Sequence, residues 1–222
     1  MSSSVVTRYV LKDLYLSWPL MVGAVAIALL AVPLTALGSV GLFSAMILVV
    51  VAGAAPSSFI CMYLIAMERK EKSHIFALSL PISGAQAQLA KVLAAATAYL
   101  VPWVVMAAGT IGLFTVLHVP QGTLPFGMML WVFLLDQFCL MLAVTAAVGS
   151  EAASTAVIVT CNVLISFYFF IFLNTSTVGK SLASPVAVWS PFVLKVIFIE
   201  LAIAVLLIAA MAWRLSRTRD FI

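Results

Sequence analysis

The sequence predicts an all-α membrane protein with six transmembrane helices in a single domain spanning residues 1–222. Three observations carry this. Of the 222 residues, 65% are hydrophobic and only 8% are charged, whereas average soluble domains carry about 25% charged residues. Apolar runs repeatedly exceed the roughly 20 residues needed to cross a hydrocarbon core. The basic residues also alternate with those runs. The N-terminal segment, the central loop and the tail hold Arg8, Lys12, Arg69, Lys70, Lys72, Lys91, Arg214, Arg217 and Arg219, while the other side holds Lys180, with Lys195 just inside the last span. That asymmetry puts both termini and the central loop in the cytoplasm. Six spans require the same parity.

Taken in order, residues 1–17 mix Val5, Val6, Tyr9, Val10, Leu14 and Tyr15 with Arg8, Lys12 and Asp13 at helical spacing. This predicts an N-terminal interfacial helix along the membrane face, or a simple extension of the first span. Span one runs from Trp18 to Leu37, with Pro19 at its start. Gly38-Ser39-Val40-Gly41 is a short uncharged turn, and span two follows from Leu42 to Met67. Span two contains Pro56-Ser57-Ser58, which predicts a kink with the serines bonding freed carbonyls. Span three covers Val92 to Leu117. A loop with Pro120, Gly122 and Pro125 leads to span four, Phe126 to Val148. After a tight connection, span five covers Thr155 to Leu173. The extracytoplasmic loop 174–190 is rich in Ser and Thr, span six covers Pro191 to Trp213, and a basic tail ends the chain. Trp18, Trp189 and Trp213 stand where interfacial aromatic belts form.

The longest polar interruption is 68–91, ERKEKSHIFALSLPISGAQAQLAK. Glu68 and Lys72 are four apart in the order that favours a helical ion pair. Ile75, Phe76, Leu78 and Leu80 supply an apolar flank. Pro81 breaks that helix, and Ser83 with Gln86 three residues on can cap the next. An acidic span end, then basic residues, then Leu80-Pro81-Ile82-Ser83 and Lys91 resembles the first cytoplasmic loop of ABC-2-type permeases, the membrane subunits of ATP-binding-cassette exporters. The position after Ser83, often basic in that family, is Gly84 here. The resemblance covers about a tenth of the chain; length and span count also resemble the small six-span members.

The resemblance implies a type V exporter-like fold in which 68–91 holds the coupling helix. Glu68, Arg69, Lys72, Ile75, Phe76, Leu80 and Pro81 would then face an ATPase subunit. It implies as partners separate ABC ATPases and a second permease, identical or related, within a bacterial inner membrane. ATP and Mg would bind the ATPase and not this chain, whose cargo would be amphipathic or hydrophobic: a peptide, an antibiotic or a lipid-like molecule.

Other chemistry is sparse. Gly179-Lys180-Ser181 lacks the earlier glycine of a phosphate-binding loop, since Asn174 stands in its place and no strand precedes it. The net charge of +4 goes into orienting the chain, so nucleic acid is not an expected partner. Cys61, Cys139 and Cys161 lie inside apolar runs with no paired or metal spacing and read as buried free thiols. His74 and His118 fall on opposite sides, and no metal site is expected. No two glycines stand four apart, so there is no strict GxxxG motif. Three ionisable residues fall within spans: Asp136 in span four, and Lys195 and Glu200 in span six. A charge at a helix centre costs about 2.5–3.5 kcal/mol on insertion scales, so Asp136 and Glu200 must face protein, water or a proton. Lys195 can snorkel outward. The three are candidates for the translocation route, or else structural helix glue. A secondary transporter or channel using Asp136 and Glu200 is the alternative function.

Overall fold

The computed structural model describes residues 2–67, 84–117, 121–148, 150–182 and 184–217. Among them six helices are long and apolar enough to cross a membrane. This is a multi-pass membrane protein. The helices are α1 (Ser2–Leu34), α2 (Gly38–Phe59), α3 (Gly84–Val116), α4 (Leu124–Ala147), α5 (Glu151–Asn174) and α6 (Pro191–Arg217). Contacts between helix ends show alternating directions. The starts of α1 and α3 meet the ends of α4 and α6 at one end of the bundle, and the loops before α4 and α6 meet at the other.

α4 is the axis. Its central apolar window is 67% buried, against 17% for α5 and for α6. Met129, Leu130, Trp131, Leu134, Phe138 and Met141 line its enclosed surface. α1 packs along α2 and α3, and α4 packs along α6. Small residues explain the closeness of the first group. Ala24, Ala28 and Ala31 of α1 are buried, as are Ala90, Ala94, Ala95 and Ala98 of α3, and without bulky side chains two backbones approach and gain dispersion contacts.

The turn between α1 and α2 is as short as its glycines allow. Thr35–Leu37 forms one 3-10 turn, and Gly38 takes φ +75, a backbone state that L side chains rarely adopt. A Cβ on Gly41 would overlap the Leu34 carbonyl. Span two is irregular beyond Pro56. Pro56 lies inside α2, the Ser57 hydroxyl donates to the Ala54 carbonyl at 2.9 Å, and the helix continues as a π-helix over Ile60–Met67. Pro125 sits in the first turn of α4, where its missing N–H has no cost. Ser150 caps α5, accepting from the Ala153 N–H at 3.1 Å.

The helix bounds decide between two readings at the N-terminus and fix the start of the third span. The N-terminal segment is not a separate interfacial helix: α1 runs unbroken from Ser2 to Leu34. Asp13 is 1% exposed and turned inward to Lys91, and Leu14 and Ser17 share its inward face, while Leu11, Tyr15 and Leu16 stay exposed. Ser17 supports the stretch before Pro19 by donating to the Asp13 and Leu14 carbonyls, each at 3.1 Å. α3 begins at Gly84, directly after the Ser83 read as its cap and ahead of its apolar run. Lys91 is therefore a buried helical residue and not part of a loop. Helices extend past the hydrocarbon wherever a polar side chain finds a partner, and hydropathy registers only the apolar part.

Candidate functional site

The polar groups inside the bundle gather where α4, α5 and α6 meet. Asp136 and Gln137 are neighbours on α4, and successive helical residues point about 100° apart. Asp136 therefore turns to α6, against the Ala204 backbone. Gln137 turns to α5, where its Nε2 donates to the Cys161 carbonyl at 2.7 Å. On α5, Tyr168 lies seven residues beyond Cys161 and on the same face. Its hydroxyl donates to Glu200 Oε1 at 2.8 Å. The ring is held by stacking on Phe133 of α4, with centroids 4.0 Å apart, and by Phe172 at 4.5 Å. Glu200 and Ala204 are one turn apart on α6 and form, with Val193, its buried line. Asp136 is within electrostatic reach of both Glu200 and Tyr168.

Asp136, Gln137 and Glu200 are 8%, 4% and 6% exposed, so the group is closed off from lipid. It is short of donors. Asp136 Oδ1, Gln137 Oε1 and Glu200 Oε2 are buried without a hydrogen-bond partner among the described residues. In a bilayer such a deficit costs several kcal/mol per group. A proton, a water or a donor group of a ligand must complete it. Of the three route candidates, the fold brings Asp136 and Glu200 together and leaves Lys195 out. Lys195 is exposed, five residues before Glu200 and so on another side of α6. Sequence reasoning missed Tyr168 and the role of Gln137. Gln137 was visible beside Asp136, but nothing within the run Phe167-Tyr168-Phe169-Phe170 marks the residue that reaches across to another span.

A second polar group ties the helix ends on the terminus-bearing side. Lys91 Nζ and Asp13 Oδ2 form an ion pair at 2.6 Å, with side chains 11% and 1% exposed. One turn before Lys91, Gln88 Nε2 donates to the Ala146 carbonyl of α4 at 3.1 Å. Arg214 of α6 donates to the neighbouring Ala147 carbonyl, also at 3.1 Å. The first two turns of α3 are thus fastened to α1 and α4, and the end of α6 joins them. Glu68, Arg69, Lys72, Ile75, Phe76, Leu80 and Pro81 lie outside the described residues.

At the opposite end a cavity of about 50 Å3 lies between α1, α2, α3 and α4, lined by Thr35, Met46, Thr110, Phe114, Phe126 and Trp131 among others. Its size admits a water or two, far below the roughly 300–1,000 Å3 of a small-molecule site. The three cysteines are free and buried, and no group of three His, Cys, Asp or Glu side chains is placed to hold a metal among the described residues. Trp189 and Trp213 are exposed near the two ends of α6, whereas Trp18, also exposed, lies midway along α1. Trp103 instead donates to the Trp131 carbonyl at 2.9 Å inside the bundle.

No protein-family model, curated protein or solved structure matches this chain.

Proposed function

We propose that this chain is the permease subunit of an ABC-2-type exporter, paired with a second permease and driven by separate cytoplasmic ATPase subunits. The observation that carries this reading is the clamp at the start of α3. The segment resembling a coupling loop feeds directly into α3, whose second turn is ion-paired to α1 and hydrogen-bonded to α4. A push delivered through 68–83 therefore reaches three helices at once, and α6 through its bond to the end of α4. A flexible surface loop needs no such fastening; a lever does. An amphipathic or hydrophobic cargo suits a bundle whose α6 outer face is apolar from Phe198 to Ala212.

A second reading rests on the donor-poor cluster of Asp136, Gln137, Tyr168 and Glu200. Such a group can bind and release a proton or cation, as an ion-coupled transporter or channel requires. The two readings part on energy source. Reconstituted with the soluble ATPase encoded nearest to it, the chain should move cargo on ATP addition and not on imposing a pH or ion gradient. Transport driven by the gradient alone, in vesicles without ATPase, would favour the second reading.

A further inference from the structure

α5 and α6 are equally uncovered within the chain, yet their outer faces differ in kind. Every exposed residue of α6 from Phe198 to Ala212 is apolar: Phe198, Ile199, Leu201, Ala202, Ile203, Val205, Leu206, Ile208, Ala209, Ala210 and Ala212. Lipid tails satisfy that surface. The exposed residues of α5 include Thr155, Asn162 and Ser166, at i, i+7 and i+11 and hence on one strip of the helix. Asn162 is eleven residues from the start of α5 and twelve from its end, so it sits at mid-membrane. Its Nδ2 donates to the Ile158 carbonyl at 2.9 Å. Its Oδ1 and second N–H, and the hydroxyls of Thr155 and Ser166, have no partner among the described residues. A hydrocarbon tail offers none either. Polar side chains at such positions associate helices in membranes, and small neighbours such as Ala152 and Ala156 on this outer surface let a second backbone approach.

We infer that this strip of α5 is the contact with a second copy of the same chain, with Asn162 paired to Asn162 across a twofold axis. Two facts single out a copy. A carboxamide carries both donor and acceptor, so it is complementary to itself. Two copies inserted in the same orientation place their α5 helices parallel, with Asn162 at the same depth in each, as an isologous interface requires. The α6 outer face is left to lipid. This assignment rests on the paired permeases of the proposed function but not on the ATPase.

The test uses the full chain in membranes, expressed without any ATPase and with the three native cysteines replaced. Asn162→Cys and Ser166→Cys should give a disulfide-linked dimer on mild oxidation, and Val205→Cys on α6 should give none. Asn162→Leu should weaken dimerisation in nanodiscs by roughly three- to twenty-fold, the span for one interhelical hydrogen bond, with the monomer's thermal unfolding unchanged; Asn162→Gln should keep most of it. Cross-linking through Val205 and not through Asn162 overturns the assignment. So does an unchanged dimer in Asn162→Leu, or a cross-linked product containing a different chain. Because no ATPase is present, these outcomes stand apart from failure of the coupling reading, which shows only in ATPase binding.

Discussion

Replacing Lys91 with methionine removes the cation from a pair whose carboxylate is 1% exposed. At 2.6 Å and with 11% of the lysine side chain exposed, this is a buried pair and not a surface one, so solvent screening does not dilute it. Removing one partner of such a pair strands a buried charge and typically costs about 3–5 kcal/mol. Lys91→Met and Asp13→Leu should each destabilise the chain by about that much. The double variant should recover most of the loss, because packed apolar side chains replace a buried pair at little or no net cost. Denaturant or thermal unfolding of the purified chain in detergent, arranged as a double-mutant cycle, reads the coupling directly. The double variant also separates stability from transmission. It should insert and fold, yet show reduced ATPase stimulation, because the start of α3 is no longer ion-paired to α1. Single variants that each cost under about 1 kcal/mol, with losses that simply add, would refute the assignment of this pair as a structural clamp.

Topology is checked by single cysteines at Ser73 and Ser181 in a background without the native ones; in sealed vesicles they should label from opposite sides, and labelling of both from one side would sink the six-span arrangement. In the intramembrane cluster, Tyr168→Phe removes the hydroxyl that donates to Glu200 Oε1 and should cost about 1–3 kcal/mol of stability. Asp136→Asn and Glu200→Gln supply donors where donors are short, so they should leave stability equal or higher while reducing transport. Loss of stability without a transport defect would make the cluster structural.

The six spans were legible because apolar run length and basic-residue placement are properties of single segments, and the bilayer imposes both. So was a short uncharged turn between the first two spans, although it falls at Thr35–Leu37, with Gly38 already opening α2. Helix ends were less legible. The cap reading at Ser83 anticipated the start of α3 at Gly84, but not that Lys91 within it is buried against Asp13, 78 residues away in sequence. The same blindness hid the contact between Tyr168 and Glu200. In helices that are apolar nearly all round, periodicity does not say which face meets protein, so cross-span partners cannot be paired from sequence. Asp136 and Glu200 stood out only because a carboxyl in hydrocarbon is conspicuous, whereas a tyrosine among phenylalanines is not. The inward turn of Asp13 was hidden for a related reason, since Arg8 and Lys12 beside it made the segment look like a surface helix.

On the proposed function, the segment entering α3 transmits force from an ATPase. Burying an anchor such as Ile75 or Phe76 is worth about 1.5–3 kcal/mol each, and truncating an interface hot spot commonly costs 2 kcal/mol or more. The decisive measurement compares Ile75→Ala/Phe76→Ala with the parent chain for co-purification with the ATPase and for ATPase stimulation in vesicles. On the proposed reading the double variant inserts and dimerises normally but loses the ATPase or its stimulation, while the chain alone hydrolyses nothing. Full retention of both binding and stimulation would contradict it.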